Sequence, residues 1–269
     1  MNSEQNSQNA SPAGLTRRRL LQRAGALGLA AAAAGAVEPG RSLAALSSIE
    51  TGGVAAALAL TPEQEEGPFY VALDKLRKNI TLGRPGVPLR LMIKVVDSAG
   101  TPLAGSACDI WQCDATGVYS DESSESTVGQ TWLRGVQLTN ATGVAEFTTI
   151  YPGHYQGRTT HIHVKVHVGG KTSTTSYSGG HVSHTGQLLF DDAITSKVYA
   201  LTPYTSDTAA RVLNTADHVY ADEHGSKSVL KLSRLGSSAA DGYLGTITLV
   251  VNPSATPAAV GASGAGGPP

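Results

Sequence analysis

Short alternating runs of apolar and polar residues, each ended by a turn, constrain the fold of this chain more than any other feature. In residues 89–96, Leu89 and Leu91 fall on one face of a strand while Arg90 falls on the other. The 31 glycines and 13 prolines among 269 residues supply turns and disfavour long helices. We therefore predict an all-β fold, a β-sandwich with long loops and little helix. The other strands are predicted at 106–113, 132–138, 144–150, 161–168 and 246–251, with a strand and a short helix within 185–201.

Charge and hydropathy exclude several classes of protein. The 20 Lys and Arg residues against 21 Asp and Glu residues give a net charge of -1, which argues against nucleic acid as a partner. A hydrophobic content of 41% is enough to build a core, so wholesale disorder is excluded. No apolar run approaches the ~20 residues that a membrane-spanning helix needs, and we predict no membrane span.

The first 36 residues are interpreted as a twin-arginine signal peptide. The pair Arg17-Arg18 is followed by apolar Leu20 and Leu21, then by a weakly apolar stretch over residues 24–37. Ala34-Gly35-Ala36 fits a small-residue cleavage site. The predicted partner is the twin-arginine export machinery, and the predicted location is periplasmic or extracellular. The alternative is an Ala-rich basic tail.

The rest of the chain divides into three parts by composition. Residues 37–60 are predicted to be a flexible linker, 61–251 a folded domain, and 252–269 a low-complexity disordered tail. Cys108 and Cys113 lie in one predicted strand, ~16 Å apart, whereas a disulfide needs less than ~7 Å between Cα atoms. We expect both thiols to be free.

Histidines and tyrosines form the candidate site. In a strand, His161 and His163 would share a face, roughly 6.6 Å apart along the backbone, and their imidazoles could converge on one metal. By itself a His-x-His pattern also fits a polar strand face with hydrogen-bonded histidines. Tyr155 lies on a Gly-bearing turn shortly before His161, and Tyr119 lies just past a strand end.

Three segments resemble intradiol ring-cleavage dioxygenases. Residues 109–120 are similar to the first-tyrosine motif of that family, and residues 61–70 to the segment that opens its catalytic domain. Residues 150–164 resemble the second motif, in which a tyrosine, an arginine and a His-x-His follow in order. The likeness covers roughly 61–251 and favours the exported, single-domain members, because only the predicted signal and linker precede residue 61. Thr159 departs from the proline that is common there.

The resemblance implies Fe(III) held by Tyr119, Tyr155, His161 and His163. Two phenolates are hard anionic donors that suit ferric iron, whereas a non-haem Fe(II) site would include a carboxylate. In the family mechanism, a catecholic substrate binds through both oxygens and displaces one tyrosine, by order Tyr155. Reaction with O2 then cleaves the ring between the two hydroxyl-bearing carbons and gives a muconate-type diacid.

Two further residues receive roles from the resemblance. Arg158 would stabilise negative charge on the reacting substrate. Gln187 would support the ligands without itself binding the metal. Surface or packing roles are the alternatives for both. Tyr70 is a weaker candidate for the pocket wall.

Three hypotheses of function follow. The leading one is a secreted ferric intradiol dioxygenase that acts on a catecholic aromatic. The second is a non-catalytic secreted β-sandwich module that binds carbohydrate or small aromatics. The third, a zinc or copper hydrolase built on the His-x-His, would need a general base that the sequence does not identify.

Overall fold

The computed structural model describes residues 56–261. The predicted signal peptide, most of the predicted linker and residues 262–269 lie outside that part. The strands are β1 (Pro88–Val96), β2 (Ala107–Trp111), β3 (Arg134–Leu138), β4 (Val144–Ile150), β5 (His161–Val168), β6 (Lys171–Thr172), β7 (Tyr177–Ser178), β8 (His181–Leu189), β9 (Lys231–Arg234) and β10 (Tyr243–Val250). The α-helices are α1 (Asp192–Tyr199) and α2 (His218–Asp222). None of the helices in this part is long and apolar enough to cross a bilayer.

Two four-stranded sheets form the sandwich that the sequence predicts. The first sheet has the strand order β4-β1-β10-β9, and the second has β3-β2-β5-β8. Within the first sheet, β1 runs parallel to β10 and antiparallel to β4. Apolar side chains from both sheets meet between them, including Leu91 and Phe147 from the first sheet and Ile110 and Val164 from the second. The predicted fold class is therefore confirmed.

The first sheet turns its outer face to solvent. Along β1 the residues alternate, with Leu89 and Leu91 buried while Arg90 is exposed. Arg90 pairs across the strands with Glu146 of β4, which also binds Lys78. This sheet follows the alternation that its sequence predicts.

The second sheet is buried on both faces over much of its area. Six successive residues of β5, from His161 to Val166, are buried. The strand register aligns Arg134, Trp111, His163 and Gln187 in one row across the outer face. Loops cover this row, so polar side chains are enclosed on the side away from the core.

Several boundaries differ from the sequence predictions. The second predicted strand ends at Trp111 rather than residue 113, because Asp114 closes a turn by accepting hydrogen bonds from the backbone of Thr116 and Val118. His181 and His184 both lie in β8. His184 is buried there because Glu63 accepts a hydrogen bond from its Nδ1 at 2.8 Å.

The prediction of two free cysteines is confirmed. Cys108 and Cys113 are free and buried. At the start of the domain, the Thr61 amide donates a hydrogen bond to the carbonyl oxygen of Val250 at 2.9 Å. Leu58, inside the predicted linker, donates to Ser98 at 2.7 Å. Residues 252–261 contain no helix or strand.

Candidate metal centre

The two histidines of β5 meet at their Nε2 atoms. His161 donates from Nδ1 to the carbonyl oxygen of Thr159 at 2.6 Å, which fixes the tautomer and leaves the Nε2 lone pair free. That Nε2 lies 3.1 Å from Nε2 of His163 and 3.4 Å from the phenol oxygen of Tyr155. Three of the four predicted ligands therefore present their donor atoms to one small volume.

The fourth predicted ligand, Tyr119, comes from the loop after β2. Gly117 in this loop has a φ of 86°, and a Cβ there would lie 2.3 Å from the carbonyl oxygen of His154. Only glycine lets this loop approach the segment that carries Tyr155 so closely. The Tyr119 ring stacks on Phe69 with centroids 4.3 Å apart, and it lies 5.7 Å from the Tyr155 ring.

The donor set fits a ferric ion. The phenol oxygen of Tyr119 is buried and has no hydrogen-bond partner in the described part of the chain. Gly67 leaves room beside the second histidine, since a Cβ there would lie 3.1 Å from Cε1 of His163. Two phenols and two imidazoles favour a hard trivalent metal, whereas such a set would be unusual for zinc.

Burial sets the protonation preference of these four side chains. Burial lowers the pKa of His161 and of His163, so both imidazoles are neutral and able to donate a lone pair. Burial raises the pKa of Tyr119 and of Tyr155, and the nearby charge of Arg158 opposes the rise at Tyr155. A bound cation reverses this preference, because it favours the phenolate.

Arg158 and Gln187 lie together beside the four aromatic side chains. Nη1 of Arg158 is 3.4 Å from the Tyr155 oxygen, and its Nη2 donates to Oε1 of Gln187 at 2.6 Å. On the other side, its Nε donates to Asp217 at 2.9 Å. Burial opposes the charge of the guanidinium, but Tyr155, Asp217 and Glu65 together raise the pKa of Arg158, so it stays charged.

Sequence reasoning missed the acidic residues that hold this arginine. Asp217 also accepts from the amides of Val219 and Tyr220 and so caps α2. Glu65 lies 3.3 Å from Nη1 of Arg158, and His218 lies 3.1 Å from the same carboxylate oxygen. The segment 61–70 was a usable signal for Glu65, but nothing local in the sequence ties Asp217 to Arg158.

Trp111 and Tyr70 support the centre without facing Tyr155. Trp111 stacks on His163 at 4.8 Å with an interplanar angle of 4°. Tyr70 packs on Trp111 and donates a hydrogen bond to Asp109 at 3.0 Å. Burial raises the pKa of Asp109 to about 7, and the hydrogen bond from Tyr70 opposes that rise.

Comparison with known proteins gives consistent matches. A dioxygenase family model matches residues 65–176. The solved structure of an intradiol ring-cleavage dioxygenase from Tetranychus urticae is similar to this chain at 31% identity and a TM-score of 0.65, over 74% of this chain and 97% of that one. The dioxygenase domain of a dioxygenase–carbohydrate-binding protein fusion from Streptomyces sp. SirexAA-E matches at 30% identity and a TM-score of 0.51, over 71% of this chain and 97% of that one.

A shorter match extends to a curated protein. Catechol 1,2-dioxygenase 1 of Acinetobacter lwoffii is 33% identical over 100 residues, which is 35% of this chain and 32% of that protein. The match thus spans about a third of the curated relative.

Proposed function

The chain belongs to the intradiol ring-cleavage dioxygenase family, and from this premise we propose that it is an Fe(III)-dependent enzyme that opens a catecholic ring with O2. Cleavage falls between the two hydroxyl-bearing carbons, and both oxygen atoms of O2 enter the product, a muconate-type diacid. The observation that carries the proposal is the convergence of the Tyr155, His161 and His163 donor atoms. The Tyr119 ring lies 5.7 Å from the Tyr155 ring, and its buried oxygen has no partner in the described part of the chain.

Tyr119, Tyr155, His161 and His163 would hold the iron. When bound there, ferric iron supplies Lewis acidity toward the two substrate oxygens. The near-complete burial of Tyr119 and His163 excludes bulk water from that side of the site.

The protein's own groups manage protons and charge. The phenol oxygen of Tyr155 can accept a proton from a substrate hydroxyl, because Arg158 lies 3.4 Å away and stabilises the phenolate. The same guanidinium faces negative charge that develops on the substrate. Gln187 and Asp217 restrain its position, so little reorganisation is needed during the reaction.

Iron content, visible absorption and oxygen uptake together test the proposal. We expect a red-brown protein with a tyrosinate-to-iron absorption band and O2 uptake when catechol is added. A colourless protein with full iron occupancy would contradict it. An iron-loaded protein that binds catechol but consumes no O2 would favour the binding-module hypothesis instead.

Tyr155→Phe is expected to weaken or abolish the absorption band and to reduce O2 uptake. The change removes one phenolate donor and the proton acceptor near Arg158. Tyr151→Phe is the matched control, since Tyr151 is buried but its hydroxyl bonds Thr195 at 2.7 Å in the core. Equal bands in both variants would remove Tyr155 from the ligand set.

The proposal extends to export. The Arg17-Arg18 pair lies in a segment typical of twin-arginine signals, and this supports the proposal that the protein is exported to the periplasm or outside the cell. Cell fractionation tests this, and a wholly cytoplasmic, uncleaved product would contradict it.

A further inference from the structure

The carboxylate of Glu65 is nearly buried, and the guanidinium of Arg158 lies between it and the proposed substrate site. The side chain of Glu65 is only 8% exposed. Its Oε1 lies 3.3 Å from Nη1 of Arg158, and the same Nη1 lies 3.4 Å from the phenol oxygen of Tyr155. Glu65 therefore lies next to the residues of this site, although the proposed reaction gives it no role.

The backbone on both sides of this carboxylate is fixed. The Glu65 amide donates to Oε2 of Glu223 at 2.9 Å, and its carbonyl oxygen accepts from Nε2 of Gln187 at 3.0 Å. Two residues later, Gly67 lies against the imidazole of His163. Because the segment is held at both points, the Glu65 side chain has a defined position relative to the predicted ligands.

The charge of the Glu65 carboxylate is only partly neutralised by Arg158. Asp217 contacts the guanidinium twice, Oδ2 lying 2.9 Å from Nε and Oδ1 lying 3.5 Å from Nη2, and it is the main counter-charge. Oε1 of Glu65 lies 3.3 Å from Nη1 of Arg158 and 3.1 Å from Nε2 of His218. Its Oε2 accepts no hydrogen bond from residues 56–261. A largely buried carboxylate with one oxygen free to accept is stabilised by a donor and repels another anion.

A second metal ion is a weaker explanation for the same residues. Ligand atoms of Glu65, His218 and Glu223 lie within 4.8 Å of one another. However, the positive guanidinium of Arg158 already contacts the Glu65 oxygen at 3.3 Å, and it would repel a cation placed there. The arrangement suits a neutral hydrogen-bond donor better than a metal.

We infer that Glu65 is a specificity-determining residue that selects catechols with a hydrogen-bond-donating ring substituent, such as a third hydroxyl group, over catechols that bear a carboxylate. This inference rests on the proposed function, because the ring is placed by the catechol-binding centre. The donor would bond the Glu65 carboxylate, while a ring carboxylate would meet its charge at short range.

The test compares three ligands in two variants. Wild type, Glu65→Gln and Glu63→Gln are assayed for kcat/KM and for Kd with catechol, benzene-1,2,4-triol and 3,4-dihydroxybenzoate. Glu63→Gln is the matched control, since Glu63 lies on the same segment but its carboxylate accepts from His184 Nδ1 and from the Thr185 amide.

In Glu65→Gln, we expect the preference for the triol over catechol to fall about tenfold, which is the scale of one hydrogen bond to a charged group. The preference for dihydroxybenzoate over catechol should rise, because the repelling charge is gone. Both ratios should stay at their wild-type values in Glu63→Gln. A general loss of stability would lower all rates together and could not move the two ratios in opposite directions.

Unchanged ratios in a folded Glu65→Gln variant would overturn the inference, and so would a wild-type preference for dihydroxybenzoate, which is measurable even if the variant does not fold. Failure of the proposed function is a separate result. In that case no ligand supports O2 uptake, while the Kd ratios still decide whether Glu65 selects the substituent.

Discussion

The two sheets of the sandwich have similar strands, but the outer face of the first is exposed to solvent and that of the second is buried. On the first sheet, Arg90 is exposed and pairs with Glu146 in solvent. On the second, Arg134 is 2% exposed and His163 is fully buried. Loops carrying Phe69, Tyr119 and Tyr155 close over the second sheet and leave the first one open. The difference shows that the loops, rather than the strands, turn a polar sheet face into an enclosed site.

The enclosed face has to satisfy its polar groups internally. Arg134 donates to the Ser120 hydroxyl at 2.9 Å, to the Ser120 carbonyl at 2.6 Å and to the Phe69 carbonyl at 2.5 Å. It thereby ties two of the covering loops to the sheet. Arg90 can instead exchange its partner for water, so the same residue type has a different energetic role on each face.

The largest expected difference between the faces concerns iron. His163→Ala should lower iron retention and O2 uptake by more than about 100-fold, since even supporting residues around a metal commonly cost 10–100-fold. Met92→Ala on the outer side of β1 should leave both unchanged. Metal analysis and oxygen-electrode rates measure the pair, and full iron content in His163→Ala would remove this residue from the centre.

A smaller but still large difference is expected in stability. Arg134→Met should lower the free energy of unfolding by about 3–5 kcal/mol, because it leaves buried carbonyl groups unpaired. Arg90→Met should cost about 0–1 kcal/mol, as is usual for an exposed ion pair. Urea denaturation of both variants checks this, and similar losses would mean that the two faces are equally solvated.

The smallest expected effect is opposite pH dependence on the two faces. The pKa of Asp109 is raised to about 7, so between about pH 4 and 7 the folded protein holds a proton that the unfolded chain releases. This contribution makes stability fall as pH rises through that window. The pKa of Glu146 is lowered by hydrogen bonds from Arg90 and Lys78, so its contribution is present above the ordinary glutamate pKa and is lost as pH falls below it.

Asp109→Asn should remove the decline of stability between about pH 4 and 7, whereas Glu146→Gln should flatten the loss at lower pH. Thermal melts across pH 3–8 measure both slopes. Parallel profiles for wild type and Asp109→Asn would show that Asp109 titrates normally in the folded protein.

Much of the fold was predictable because strand periodicity is local. The predicted runs 144–150 and 161–168 coincide with β4 and β5. The start of β3 and the end of β2 were misplaced by two residues each, since turn hydrogen bonds accepted by Asp114 and loop pairing decide where a strand stops. The contact of His184 with Glu63 is not visible in a local pattern, because the two residues are 121 positions apart.

In the candidate site too, residues in local patterns were predictable and contacts between distant residues were not. The sequence placed His161 and His163 on one strand face, and the family motifs pointed to Tyr119 and Tyr155. The partners of Arg158 could not be read from it, because Asp217 is 59 residues away and forms no motif with it.

By itself, the sequence determined an all-β sandwich, its family, and the pairing of two histidines on one strand, because alternation and short motifs act over a few residues. The tertiary structure alone decided which sheet face is enclosed, and that Glu65 and Asp217 flank the arginine. Those facts depend on loops that meet across long separations, where packing and charge neutralisation select the partners rather than local backbone preference.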